Sequence, residues 1–189
     1  MGYDTAVGRL RTITESCERP NRLTDTPVLV AAYVYCDVLD GRAELPRVQV
    51  AFVIDAPPEE VAWFAEPPFG TGIVSLLDLE KAPVEWYWHP LVWPVWNHAI
   101  RGPVRFWSVA GPDEDVLEAL GQRRFADLHR LVPTAGEEVA QLEVELEASL
   151  NHLRQVVERY WDREWRVGHK GSGWYPEDHL WRAAHGILT

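Results

Sequence analysis

The chain has 189 residues, of which 47% are hydrophobic and 25% are charged, a composition typical of a globular protein with a sizeable core. Its formal net charge is -11 at pH 7. An acidic surface repels phosphate backbones and anionic membranes, so we expect neither a nucleic-acid partner nor a membrane-bound role. The chain begins without an apolar leader and has no apolar window of about 18 residues, which predicts a cytoplasmic protein.

The first half of the chain predicts a mixture of helices and strands. Apolar residues recur at helical spacing over residues 3–19, and Pro20 ends that helix. The apolar runs 28–38 and 47–54 predict two buried strands with a turn at Asp40-Gly41 between them. Further along, residues 57–64 predict a short helix, and 73–79 fit either a strand or a short helix. Residues 84–88 and 103–109 predict strands, 113–121 predict a helix, and a further helical stretch reaches about residue 131.

The last third of the chain predicts helices, with one long helix first. Thr134 and Glu137 have the spacing of a capping box, and Gly168 marks the end of a helix that we expect to reach about Val167. Apolar residues recur along it at alternating spacings of three and four, forming a seam: Val139, Leu142, Leu146, Leu150 (or Ser149), Leu153, Val157 and Tyr160. We expect the acidic residues to cover its other faces: Glu138, Glu143, Glu145, Glu147 and Glu158. A final helix begins at Pro176 or Glu177.

These elements predict an α+β fold in which a mixed sheet with flanking helices is followed by a helical C-terminal region. We place the boundary between an α/β domain, residues 1–132, and a helical domain, residues 133–189. The two cysteines, Cys17 and Cys36, have no metal-motif spacing, and we interpret them as small apolar residues in a reducing compartment. His179 and His185 are six positions apart, which is not the spacing of a helical metal pair. We therefore predict neither a metal site nor a cofactor.

The strand pair at 28–55 resembles the opening of a nucleotidyltransferase core. In that family a strand ending in Gly-Ser precedes a strand that carries two metal-binding aspartates one residue apart. The equivalent positions here are Cys36-Asp37 for Gly-Ser, and Gln49 and Ala51 for the aspartates. Phosphoryl transfer needs carboxylates to hold metal ions, which Gln49 and Ala51 cannot supply. The resemblance implies a domain that has kept the fold and lost the activity, with Gln49 and Ala51 facing a cleft near Asp37.

Ten tryptophans form the second feature of the sequence. Trp86, Trp88, Trp93, Trp96 and Trp107 lie in one stretch, and Trp161, Trp165, Trp174 and Trp181 in another. Trp86 and Trp88 have strand spacing and share a face, which packing alone predicts. Such clusters either form the packed contact between a helical domain and a sheet, or line a stacking surface for a ligand. His89, His98 and Arg101 lie within the first cluster and complete a candidate ligand site there, or cap turns around Pro90 and Gly102.

The C-terminal region carries two weaker resemblances. Arg163 and His169 are six positions apart, which is similar to the Arg-x4-6-His signature of helical HEPN domains, where the pair cleaves RNA or accepts a modification. The Trp-rich middle and the ending GWYPEDHLWRAAHG resemble uncharacterised actinobacterial proteins grouped as a domain of unknown function. The Gly-rich segment 171–173 leads into the last helix, where backbone amides are a candidate anion site.

Three functional hypotheses follow from the sequence. The first is a non-catalytic nucleotidyltransferase-like protein that binds a small molecule or a protein partner. The second is an enzyme with a Trp-lined pocket between the domains and His89, His98 or His169 as acid or base. The third is a structural module that forms homo-oligomers through the helix at 137–167. We favour the first hypothesis, and therefore favour a non-enzymatic role over an enzymatic one.

Overall fold

The computed structural model describes residues 1–67, 69–169 and 175–188. Within these residues the strands form one five-stranded sheet in the order β3-β2-β1-β4-β5. The strands are β1 (Leu29–Val34), β2 (Val48–Ile54), β3 (Val84–Pro90), β4 (Val104–Ser108) and β5 (Gly111–Pro112). The helices are α1 (Tyr3–Ser16), α2 (Glu18–Asn21), α3 (Gly70–Leu76), α4 (Glu114–Gly121), α5 (Ala135–Tyr160), α6 (Arg163–Gly168) and α7 (Pro176–Leu188). The predicted α+β class is confirmed.

The sheet is mixed. β1 pairs antiparallel with both β2 and β4, whereas β2 and β3 are parallel. The two strands predicted from the apolar runs 28–38 and 47–54 are therefore neighbours. β1 is shorter than predicted because Cys36 has a positive φ of 56°, which ends the extended backbone, and residues 36–38 form a 3₁₀ turn instead.

Both faces of the sheet are covered by packed residues. Since alternate residues of a strand point to opposite sides, the strands contribute to a separate core on each face. The larger core lies on the face covered by α1 and α4 and contains Leu10, Phe52 and Phe106. A smaller core lies on the other face and contains Ala51, Val53 and Trp63. The central strand β1 contributes side chains to both cores and is packed on both sides.

Several predicted element boundaries are wrong. The expected helix at 57–64 is only a 3₁₀ turn, Pro58–Glu60, and Phe64 has a positive φ of 64° that is incompatible with a helix. The helical stretch expected beyond 121 is a 3₁₀ turn, Phe125–Asp127. The ambiguous segment near 73 is the helix α3.

The long helix begins as predicted and ends earlier. Thr134 and Glu137 form the capping box at the start of α5. The helix stops at Tyr160 because Asp162 caps a new helix, accepting a hydrogen bond from the Trp165 amide at 2.8 Å. Gly168 is the last residue of α6. Over the described ranges, none of the helices combines the length and the apolar character needed to cross a membrane.

Candidate functional site

Gln49 lies beside Asp37, as the strand pair predicts. Its Oε1 accepts from the Asp37 amide at 3.5 Å, and its Nε2 donates to Glu85 Oε2 at 3.1 Å. The Gln49 side chain is thus held by hydrogen bonds on two sides and is half-buried.

Ala51 does not face a cleft, and this part of the prediction is wrong. The residue is fully buried in the smaller core. Trp63 covers that face of the sheet and stacks on Tyr87, with 4.3 Å between ring centroids and an interplanar angle of 11°. The aromatic side chains close the surface on which a nucleotidyltransferase would place its metal carboxylates.

Trp86 and Trp88 share a face of β3, as their spacing predicts, and both pack on the larger core. The indole Nε1 of Trp88 donates to Glu66 Oε2 at 3.2 Å. Burial raises the pKa of Glu66, while the Trp88 hydrogen bond and the positive charge of Arg182 lower it. Trp88 thus has its polar atom paired and its ring buried, which is the structural role of a tryptophan.

His89 is sealed in the protein, with 2% of its surface exposed. Its Nδ1 donates to the Pro90 carbonyl at 3.1 Å, and its ring lies 6.2 Å from that of the half-buried Trp93. Burial lowers the pKa of His89 to about 4. This imidazole is neutral and inaccessible at neutral pH, so it cannot exchange a proton with a bound substrate.

His98 lies where the Trp-rich loop, residues 91–103 between β3 and β4, contacts α5. Its Nδ1 is 3.8 Å from the Glu145 carboxylate, and its ring meets Trp63 edge-on at 5.2 Å. Burial and the nearby Arg101 charge lower the pKa of His98. Arg101 itself is exposed and donates from Nε to the His98 carbonyl at 3.3 Å. The half-buried Trp96 precedes this turn.

The face of α5 that packs on the rest of the protein is mainly polar. Its buried residues are Gln141, Glu145, Ala148, Ser149 and Val156. Glu145 was expected at the surface, but only 5% of it is exposed. Its Oε1 accepts from Gln141 Nε2 at 2.8 Å and its Oε2 from Asn97 Nδ2 at 3.1 Å. Burial raises the pKa of Glu145 to about 7, although both hydrogen bonds act in the opposite direction.

The apolar seam of α5 faces solvent. Its Leu153 is half-buried, whereas its other five aliphatic residues have exposed fractions of 36% to 58%: Val139, Leu142, Leu146, Leu150 and Val157. Val144 is also exposed, at 47%. Just past the helix, Trp161 is 81% exposed. The seam predicted from the sequence is therefore present, and it is not the face that packs on this chain.

A cleft of about 660 Å³ lies beside the C-terminal end of α5. It is lined by residues of the 59–71 segment, α5, α6 and α7, among them Glu66, His152, Arg159, Trp165, His169 and His179. His152 Nδ1 donates to the Glu59 carbonyl at 3.1 Å, and His169 Nδ1 donates to the Trp165 carbonyl at 2.7 Å. Burial lowers the pKa of His152, and burial together with the charges of His169, His152 and Arg182 lowers that of His179 to about 4. These two imidazoles are neutral near pH 7.

The HEPN-like pair is split by the end of α6. Arg163 is the first residue of α6, and His169 follows its last residue, so the two lie about 9 Å apart along the helix axis. His169 packs on Trp165 and His179, with ring centroids 4.2 and 4.8 Å away. Arg163 is exposed. The Gly-rich segment proposed as an anion site lies outside the described residues.

The structure divides the nine sequence-derived site residues among several places rather than one pocket. Trp86 and Trp88 lie in the larger core, His89 contacts Trp93, and His98 meets α5 near Trp96 and Arg101. Of the nine, only His169 lines the cleft, and Arg163 lies at the far end of α6. Sequence reasoning missed Glu145, Asn97 and His152. A signal existed: Gln141, Glu145 and His152 lie on one helical stripe.

The described residues contain no group of three or more His, Cys, Asp or Glu placed to hold a metal ion. Cys17 is buried and Cys36 half-buried, and neither forms a disulfide. One protein family, described as a domain of unknown function (DUF7711), matches residues 1–189. No curated protein matches the chain. No solved structure matches it either.

Proposed function

The chain belongs to the DUF7711 family, a domain of unknown function, and we propose that it is a non-catalytic protein that binds a protein partner along α5. The binding surface is the seam of α5, defined as Val139, Leu142, Leu146, Leu150, Leu153 and Val157. The proposed cytoplasmic location and actinobacterial origin stay predictions of the sequence.

The orientation of α5 carries this proposal. A helix that packs on a single body normally turns its apolar stripe inward and its polar residues outward. Here Gln141, Glu145 and Ser149 are buried, while five of the six seam residues are exposed and Leu153 is half-buried. Burying the exposed half of each such side chain would contribute about 1 kcal/mol. A partner that covers the seam therefore gains several such contributions.

The protonation states of the buried groups support a non-catalytic role. A general acid or base works best when its pKa lies near the working pH. The pKa values of His89, His98, His152 and His179 are all lowered by burial. Glu145 titrates near neutral pH, but its carboxylate is sealed and both oxygens accept hydrogen bonds.

The closed surface at Ala51 also favours α5 over the sheet as the binding site. A degenerate nucleotidyltransferase would bind its nucleotide over the strand that carries Gln49 and Ala51. Trp63 and Tyr87 occupy that side of the sheet. Within the first Trp cluster, Trp88 and Trp107 are buried in the larger core and Trp86 packs against it.

The accessibility of a cysteine in the seam tests the proposal for a partner of any identity. A Leu146→Cys chain is labelled with a membrane-permeable maleimide, once as a dilute purified monomer and once inside the cells that naturally make the protein. We expect rapid labelling of the monomer and at least tenfold slower labelling in the cells. The matched control, Val156→Cys on the buried face of α5, should be protected in both. Protection of the Leu146→Cys thiol in the purified monomer, or equal labelling in both settings, would contradict the proposal.

A further inference from the structure

We infer that the partner is a second copy of this chain, bound antiparallel along α5 around a two-fold axis beside residue 148. This inference rests on the proposed function, because it uses the same seam. It adds the identity of the partner, the direction of its helix and the register.

The spacing of the seam is nearly symmetric about residue 148. Two antiparallel copies centred there place Val139 of one chain opposite Val157 of the other, and Leu146 opposite Leu150. Leu142 then lies opposite Leu153. A two-fold interface requires this kind of self-complementary surface, in which residue i meets j and j meets i. In this direction the apolar residues of one seam face those of the other to within one residue of exact register.

The charges beside the seam favour the antiparallel direction. Exposed acidic residues dominate the first half of α5 (Glu137, Glu138, Glu143 and Glu147), whereas the second half carries both arginines of the helix, Arg154 and Arg159, and only one acid, Glu158. Glu143 and Arg154 lie about three helical turns apart and so flank the seam on the same side. The antiparallel register brings Glu143 of each copy next to Arg154 of the other. A parallel pair would instead place the acidic halves together, which is unfavourable.

The length of the exposed surface fits a helix pair. From Val139 to Val157 the seam runs about 27 Å, the length over which helices interdigitate side chains in an antiparallel pair. Trp161 extends it: it is 81% exposed and would reach the beginning of the α5 helix of the second copy. Tryptophan is enriched among the residues that contribute most to protein interfaces.

Disulfide trapping tests the direction and register. Val139→Cys and Val157→Cys chains are purified separately, mixed and oxidised mildly, with the wild-type chain as the blank for Cys17 and Cys36. A disulfide needs Cβ atoms about 4 Å apart, and in the antiparallel pair the two copies of residue 139 lie about 27 Å apart along the axis. We expect a mixed disulfide at least tenfold more abundant than self-linked Val139→Cys.

Each outcome decides the inference. Preferential self-linking of Val139→Cys would show a parallel pair and overturn the antiparallel one. Absence of any cross-link, together with a monomeric mass at the highest attainable concentration, would overturn the second copy as partner. In that case protection of the Leu146→Cys thiol in the native cells would leave the proposed function standing with a different protein partner. Protection of the same thiol in the dilute purified monomer would instead remove both.

Discussion

Asn97 donates its side-chain amide to the buried carboxylate of Glu145, with 3.1 Å between Nδ2 and Oε2. The same side chain accepts from the amides of Ala99 and Ile100, at 3.0 and 2.8 Å. The oxygen of Asn97 is thereby committed to its own turn, and its nitrogen must face α5. One residue thus shapes the end of the Trp-rich loop and holds the long helix against it.

Replacing Asn97 with Asp should destabilise the protein by at least about 2 kcal/mol at pH 8, because a buried donor becomes an acceptor facing a second carboxylate. The matched control is Asn151→Asp on α5. Asn151 accepts from Arg154 at 2.8 Å, and an aspartate there keeps the acceptor and gains an ion pair. Urea unfolding measures both variants. Equal stabilities of Asn97→Asp and Asn151→Asp would show that the Asn97–Glu145 contact does not hold α5.

The pKa of Glu145 predicts how stability depends on pH. Because the folded-state pKa is raised to about 7 from 4.5, the folded state binds the proton more tightly than the unfolded state. The stabilisation is fully present below about pH 4.5, is lost progressively as pH rises, and is gone above pH 7. The total change corresponds to roughly 3 kcal/mol. Glu145 Oε2 lies 3.8 Å from His98 Nδ1, a buried atom that finds no hydrogen-bond partner within the described part of the chain.

Glu145→Gln removes the titrating group and keeps an oxygen and a similar volume. We expect the difference in unfolding free energy between wild type and Glu145→Gln to change by roughly 3 kcal/mol between pH 4.5 and pH 7, with the wild type losing stability over this interval. Glu158→Gln, at an exposed position of α5 outside the seam, serves as the control and should follow the wild type. Parallel pH profiles for Glu145→Gln and the wild type would contradict the assigned pKa.

The packing of α7 depends on Gly186. A Cβ atom at this position would collide with the carbonyl oxygen of Trp63, so Gly186→Ala should force α7 away from the sheet and cost about 1–3 kcal/mol. Gly8 in α1 is the matched control, since a Cβ there meets nothing within 4 Å. Gly8→Ala should stabilise by up to about 1 kcal/mol. Thermal unfolding distinguishes the two, and stabilisation by Gly186→Ala would show that α7 does not dock at Trp63.

Ala51→Asp tests whether the sheet retains a latent nucleotide site. Ala51 is fully buried, so an unpaired carboxylate there should cost more than about 3 kcal/mol. Magnesium should not restore the lost stability, because the aspartate faces packed aromatic residues. Ala110→Asp, at an exposed turn of the same sheet, is the control and should be nearly neutral. A stable Ala51→Asp chain that gains stability from magnesium would revive the nucleotidyltransferase interpretation.

Local signals in the sequence predicted much of the architecture. The capping box at Thr134 fixed the start of α5, because its hydrogen bonds involve residues three apart. The apolar runs at 28–38 and 47–54 predicted adjacent buried strands. The early end of α5 at Tyr160 was not predicted, because an aspartate within a helical pattern does not by itself mark the start of a new helix.

The site was harder to predict, because periodicity does not say which neighbour covers a helix face. The seam of α5 was recognised from its spacing, but the burial of Glu145 depends on Asn97, which lies 48 positions away in the chain. The closure of the surface at Ala51 depends on Trp63, which lies in an irregular segment where Phe64 has a positive φ. The local sequence contains the polar stripe of α5 but does not indicate which distant residue covers it.

Sedimentation equilibrium of the purified chain tests the central claim most directly. The wild type should have twice the 21.6 kDa mass of one chain at micromolar concentration, while Leu146→Glu should be monomeric with unchanged helix content, because an exposed residue tolerates the substitution in the monomer. Val144→Glu, exposed on α5 outside the seam, should remain dimeric. A wild-type chain that stays at the mass of one copy up to the highest concentration, or a Leu146→Glu chain that remains dimeric, would contradict the account.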